Sequence, residues 1–204
     1  MAMKYKDAAL ILVDIQNDFC PGGALGVKDG DAIIPVVNQL LAVFPLVVAT
    51  QDWHPLNHIS FKAQGGIWHP HCVQNTRGAA FHPQLDQSKI ATIFHKAFAK
   101  DKDAYSAFEG VDEQGNSLDA ALKKAGVKKI FIAGLATDYC VKATGLDGLN
   151  AGYEVFVIED AVRAVDVQHG DGERALKELA DRGAKIVLSD SVLPRHKTAQ
   201  LAGD

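Results

Sequence analysis

The sequence predicts an α/β fold, one domain built on a mostly parallel six-stranded sheet with helices on both faces. Short, wholly apolar runs recur along the chain, as at residues 8–13 and 130–133. Such runs read as strands buried on both sides. Stretches with helix signals separate them, and strands alternating with helices imply a parallel sheet with both faces covered. The length, 204 residues of which 48% are hydrophobic, suits one domain with a sizeable core, and there is no repeat, linker or low-complexity tract.

In chain order, residues 8–13 form the first strand, which stops at Asp14 and enters a turn-rich loop through Gly23. No GxGxxG follows it, which argues against a dinucleotide-binding turn. Asp31 is placed to cap a helix reaching Phe44, with Pro35 tolerated near its start. Residues 46–50 form strand two. From Gln51 to Ser88 the chain is rich in Gly, Pro, His and Asn and has little periodicity; so long a loop inside a compact domain is usually functional. Strand three is expected at 90–94, followed by His95-Lys96, and residues 101–115 are irregular. Asn116 or Ser117 caps a helix to Ala125. Residues 130–133 form strand four, with a helix over 141–149 that ends at Asn150-Ala151-Gly152. Strand five covers 154–158, a helix 171–182, and strand six 185–188; the tail from Pro194 is expected to be loosely ordered.

The net charge of −4 and the absence of a basic run argue against a nucleic-acid surface. No apolar stretch reaches membrane length, and Met1-Ala2-Met3-Lys4-Tyr5-Lys6 lacks a signal-peptide core, so a cytoplasmic protein is expected. Three widely spaced cysteines cannot form a fully paired disulfide framework; they suit a reducing compartment and leave each thiol free for chemistry.

In parallel sheets ligands bind at the carboxyl ends of the strands. Asp14, Asp52, Lys96 and Cys140 lie at or just past the ends of the first four strands, which places them on one edge. Thr137 or Asp138 is a fitting N-cap, so Cys140 falls in the first turn of the next helix. Free N–H groups and the helix dipole there favour a thiolate, the nucleophilic form. A carboxylate such as Asp14 can accept the thiol proton, and Lys96 can hold that carboxylate charged. Taken singly, each has a plainer reading: Cys140 as joint packing, Asp14 as a loop cap, Lys96 as a solvated lysine. Asp52-Trp53-His54 forms Asp-x-His, with His58, His69, His71 and Cys72 in the same loop region. Carboxylate and imidazole donors suit Zn²⁺, Fe²⁺ or Mn²⁺, and turn hydrogen bonds are the alternative use of these histidines. His82, His95, His169 and His196 stand outside this grouping. Phe19, Trp68, Tyr105 and Tyr139 fall near the site segments, where aromatics either pack the core or wall a flat ligand.

Four segments together are similar to the signature segments of nicotinamidases, a branch of the isochorismatase-like cysteine hydrolases. They are Val13-Asp14-Ile15-Gln16-Asn17-Asp18-Phe19, Gln51-Asp52-Trp53-His54-Pro55, Trp68-His69-Pro70-His71-Cys72-Val73 and Gly134-Leu135-Ala136-Thr137-Asp138-Tyr139-Cys140-Val141. They occur in the family's order across nearly the whole chain, and depart from it at His69, where proline is expected. The resemblance implies hydrolysis of nicotinamide, and of pyrazinamide, through a cysteine thioester with Asp14, Lys96 and Cys140 as the catalytic group. It implies an oxyanion site at the N–H groups of Ala136 and Cys140, and a cis bond between Leu135 and Ala136. Phe19, Trp68, Tyr105, Leu135, Ala136 and Tyr139 are implied as substrate contacts. Asp52, His54 and His71 are implied as ligands of one divalent ion, zinc first; family members differ in whether a further side chain at the place of His58 joins the metal directly or through water, so a role for His58 stays open. A small-molecule substrate is the expected partner, with no nucleic acid or membrane, and a homodimer is allowed for. A metal-free cysteine amidohydrolase of the same superfamily and a non-enzymatic α/β binding module with a reactive thiol stay open beside this reading.

Overall fold

The computed structural model describes residues 5–194; the expected loose tail falls almost wholly outside the described residues, as does His196. Six parallel strands form one sheet: β1 (Ala8–Val13), β2 (Leu46–Asp52), β3 (Thr92–Lys96), β4 (Lys129–Leu135), β5 (Glu154–Arg163) and β6 (Lys185–Val187). Their order is β3-β2-β1-β4-β5-β6, so β1 and β4 are central and the chain reverses direction across the sheet between them. Every described pairing among them is parallel.

Period two in β1 explains its continuous apolar run. Ala8, Leu10 and Leu12 face one core with Ile34, Val37 and Leu40 of α1 (Ile34–Leu40) and Val192 of α5 (Ser189–Val192). Ala9, Ile11 and Val13 face the other core. That second core takes Leu118 and Leu122 of α2 (Leu118–Lys124), and Leu179 of α4 (Asp171–Asp181). Val141, just before α3 (Lys142–Asn150), packs there too. Both faces are therefore dry, as fully apolar strands require. Gly134 is needed where β4 passes β1: a Cβ there would lie 2.0 Å from the Val13 carbonyl oxygen. No helix among the described residues is long and apolar enough to cross a membrane.

Several elements differ from expectation at their ends. Asp31 does not cap a helix with its side chain; a 3₁₀ turn, Gly30–Ile33, leads into α1, which stops at Leu40. Phe44 precedes Pro45, and a residue before proline is pushed out of the helical region. β3 begins at Thr92 because residues 87–89 form a 3₁₀ turn capped by the Asp86 side chain. β5 runs to Arg163 rather than 158, since pairing with β4 resumes after a register shift, with Gly134 opposite Val162. Ser117 caps α2, accepting the Ala120 N–H.

Candidate active site

The carboxyl ends of the strands carry the site, because β1, β2 and β3 each deliver one polar side chain as they leave the core and the turn after β4 delivers Cys140. Asp14 follows β1 with φ of 49°, a left-handed turn that swings the chain out of the sheet. Its Oδ1 accepts from the Thr50 hydroxyl at 2.7 Å. Asp52 and Lys96 close β2 and β3 side by side. Lys96 is fully buried, with Nζ 2.9 Å from Asp14 Oδ2, hydrogen-bonded to Asp52 Oδ1, and 3.4 Å from Cys140 Sγ. The four residues expected at the strand ends do converge, with carboxylate oxygens of Asp14 and Asp52 and the Cys140 sulfur within 4.8 Å of one another.

Cys140 is not in an α-helical first turn. Residues Thr137–Val141 form a single wide π-type turn, in which the Ala136 carbonyl accepts N–H groups from both Tyr139 and Val141 at 3.1 Å. Such turns are rare and concentrate at functional sites. Neither Thr137 nor Asp138 caps it: Asp138 instead accepts the N–H groups of Val165 and Asp166. The Leu135–Ala136 peptide is cis.

The electrostatics also correct the expectation of a resting thiolate. Burial pushes the Cys140 thiol well above its ordinary pKa; Lys96 opposes this, but Asp14 and Asp52 add to the rise. Burial raises the Asp14 carboxyl, against the Lys96 ammonium and the Thr50 hydroxyl, which lower it. Asp52 is pushed up by burial but ends below the usual carboxylate range through Lys96 and His54. Lys96, penalised by burial, is held charged well above its ordinary pKa by Asp14 and Asp52. The resting site is thus a neutral thiol beside a carboxylate of raised basicity, able to exchange one proton between Sγ and Asp14.

The second cluster comes from the loop after β2. Asp52, His54 and His71 bring one ligand atom each to within 4.8 Å of one another, all buried. His54 Nε2 is 3.5 Å and His71 Nε2 3.9 Å from Asp52 Oδ2. Neither ring nitrogen of His54 has a hydrogen-bond partner among the described residues. Leaving buried polar atoms unmatched is costly, which is the mark of a position prepared for a ligand. His71 donates from Nδ1 to the His69 carbonyl at 2.8 Å, leaving the Nε2 lone pair to ligate a metal, and burial lowers its pKa, favouring the neutral ligating form. One carboxylate and two imidazoles fit a borderline divalent cation. The other candidates are spent elsewhere: His58 bonds Ser60 Oγ and the Lys102 carbonyl, His69 meets Lys62, and Cys72 is buried with its N–H on Asp18. Among the remaining histidines, His95 stacks on Trp53.

A cavity of about 320 Å³ joins the two clusters, with Cys140 and Ala136 on one side and Asp52, His54 and His71 on the other. Phe19, Trp68, Tyr105 and Tyr139 line it, and the Trp68 indole N–H donates to the Tyr105 hydroxyl at 3.0 Å. Leu135 does not line it. That side chain is fully buried in the core beside α1, on the same face as Ala133 two residues earlier, while Ala136 reaches the cavity. Ala24, Leu25, Ser60, Asp103 and Val165 also line the cavity. They carry no local pattern that sets them apart in sequence. Gln16 and Thr50 support the site as well, and Gln16 lies within the first signature segment. Its amide donates to the Asp52 carbonyl and its oxygen accepts the Asp52 N–H, fixing the backbone of a cluster residue.

Comparison with known proteins places this arrangement. The nicotinamidase of Escherichia coli is 44% identical, spanning 87% of this chain and 93% of that protein. The nicotinamidase/pyrazinamidase of Mycobacterium tuberculosis is 40% identical over 89% of this chain and 98% of its own length. The crystal structure of the pyrazinamidase of Pyrococcus horikoshii in complex with zinc is 50% identical and superposes with a TM-score of 0.80, covering 89% of this chain and 99% of that one. The Isochorismatase domain model matches residues 8–191, a span that includes every residue of both clusters, and with it the chain belongs to the isochorismatase family.

Proposed function

We propose that this protein hydrolyses nicotinamide to nicotinate and ammonia, and pyrazinamide to its acid, through a Cys140 thioester. The observation that carries the reading is one cavity lined by Cys140, with Asp14 and Lys96 buried behind its sulfur, and by the Asp52–His54–His71 group. The similarity to nicotinamidases and pyrazinamidases over most of the chain supports it.

In this mechanism Asp14 removes the Cys140 proton, and the Lys96 ammonium, 3.4 Å from Sγ, stabilises the thiolate as an ion pair. The thiolate attacks the amide carbon. The N–H groups of Ala136 and Cys140 receive the oxyanion, a contribution of about 3 kcal/mol per donor. The carboxylic acid form of Asp14 returns the proton to the leaving nitrogen, and ammonia departs. Asp14 then takes a proton from the incoming water, which attacks the thioester and frees Cys140 as its thiolate. Phe19, Trp68, Tyr105 and Tyr139 hold the ring between them. Asp52, His54 and His71 would hold the divalent ion, zinc in preference to ferrous or manganous ion. When bound, it supplies a Lewis-acidic position for the pyridine nitrogen. The zinc bound by the Pyrococcus horikoshii relative supports that preference.

The test is ammonia release from nicotinamide, before and after chelator treatment and after zinc is restored. Loss and recovery of activity are expected. Full activity in metal-stripped protein would mean a metal-free amidohydrolase, and no ammonia under any condition would mean a binding module.

A further inference from the structure

Asp18 lies in a signature segment, yet neither touches the reacting atoms nor lines the cavity. Its carboxylate is nevertheless fully engaged. Oδ2 accepts the Cys72 N–H at 2.7 Å and Oδ1 the Ala24 N–H at 3.3 Å. The Asp18 backbone is pinned as well, its N–H donating to the Gly78 carbonyl and its carbonyl accepting from Leu25. Gly78 lies against the carboxylate so closely that a Cβ there would be 2.1 Å from Oδ2.

Cys72, the residue that Asp18 holds, is unusual. It has φ of 45°, a left-handed conformation that non-glycine residues adopt at a cost, and it is fully buried. It directly follows His71, and its carbonyl accepts the His54 N–H at 3.0 Å. Cys72 is therefore the backbone link between the two histidines of the proposed metal site. We infer that Asp18 is a positioning residue: its carboxylate holds Cys72 in the left-handed conformation and thereby sets His71 against Asp52 and His54. Through Ala24 the same carboxylate fixes one wall of the cavity. The inference rests on the metal-site reading given above.

The test is zinc affinity, measured by competition with a chromophoric chelator on the full-length protein. Loss of a group that orients a metal ligand weakens binding by about 10- to 100-fold, the result expected for Asp18→Ala. If Asp18 acts through Cys72, a glycine at 72 makes the left-handed backbone accessible without the carboxylate. Asp18→Ala/Cys72→Gly should then bind zinc about 5-fold or more tightly than Asp18→Ala. Cys72→Gly alone should equal or weaken the wild type, since it only removes a buried side chain. With zinc added well above the weakened Kd, kcat of Asp18→Ala should return to within about 3-fold of wild type, which a general loss of folding would not allow. Should Asp18→Ala fail to fold, Asp18→Asn keeps the shape but turns an amide N–H₂ toward one of the two N–H donors, and weaker zinc binding is again expected. Wild-type affinity in Asp18→Ala, or in Asp18→Asn where the alanine variant does not fold, or a double mutant no tighter than Asp18→Ala, overturns the inference. Wild-type protein that binds no zinc overturns the metal-site reading itself.

Discussion

Lys96→Met removes the charge at the centre of the site while keeping an unbranched chain in its buried channel. Lys96 Nζ stands 2.9 Å from Asp14 Oδ2 and is bonded to Asp52 as well. At that distance and an effective dielectric near 20, one pair is worth about 6 kcal/mol before desolvation is subtracted. The lysine's own desolvation cost disappears with it, so the net loss is smaller. Breaking a buried pair typically costs about 3–5 kcal/mol, because the partner charge is left behind. With metal stripped, two buried carboxylates would face each other within 4.8 Å. One of them takes up a proton, and Asp14 is that one, its pKa already being raised by burial. The sign of the pH dependence follows. A carboxyl raised in the folded state stabilises the fold below its unfolded pKa, and that contribution is lost as pH rises through the folded value. The variant's deficit should therefore shrink toward about pH 4 and grow toward neutrality. Protonated Asp14 also cannot accept the Cys140 proton, so kcat/KM should fall about 10²- to 10⁴-fold. Urea unfolding of chelator-treated wild type and variant across this pH range, with ammonia release on reloaded protein, measures both. A variant as stable as wild type near neutrality, or a deficit that does not change with pH, would refute the reasoning.

The other predictions concern the thiols and the ring. Cys140→Ala should lose thioester turnover yet unfold at a urea midpoint near that of wild type, since the side chain is small; appreciable ammonia release would remove Cys140 as nucleophile. Cys20 and Cys72 are buried away from the cavity, their thiols raised by burial and neighbouring carboxylates and, among the described residues, with no general base beside them like that of Cys140 and Asp14, and should resist iodoacetamide near neutral pH. Cys140 lines the cavity and should be the residue modified, with nicotinate protecting; mass spectrometry locates the adduct. Benzamide, which has no ring nitrogen, should be worse than nicotinamide in kcat/KM by about 10⁴-fold or more. Picolinamide should also be poor, because moving the amide beside the nitrogen draws its carbonyl carbon away from Cys140; comparable rates would show that the ring is not held by its nitrogen.

The strand order in sequence, the parallel class and the polar residue closing each of the first four strands were legible because short-range rules govern them. An apolar run such as residues 8–13 admits one reading, and a polar residue that stops it must lie at a sheet edge. The metal donors were half legible. Asp52 and His54 are two apart on one strand exit, so period two brings them together, whereas His71 needs a loop folded back by bonds such as His54 N–H to the Cys72 carbonyl.

Tertiary structure decided the rest. Leu135 and Ala136 are neighbours in the same signature and both pack in the core below α1, yet only Ala136 also meets the cavity, a difference set by what the fold packs around each. At the wide turn of residues 137–141, Asp138 accepts N–H groups from the loop at 165–166 and caps no helix of its own, a partner that chain order does not reveal. A local helix terminus favours a Cys140 thiolate; burial reverses that preference against the Lys96 charge, and Asp14 and Asp52, distant in sequence, add to the reversal. By itself the sequence determined which side chains reach the carboxyl edge, since periodicity and strand ends are local. Only the fold decided their charges and partners, since Coulomb and desolvation energies depend on distances and burial that chain order does not contain.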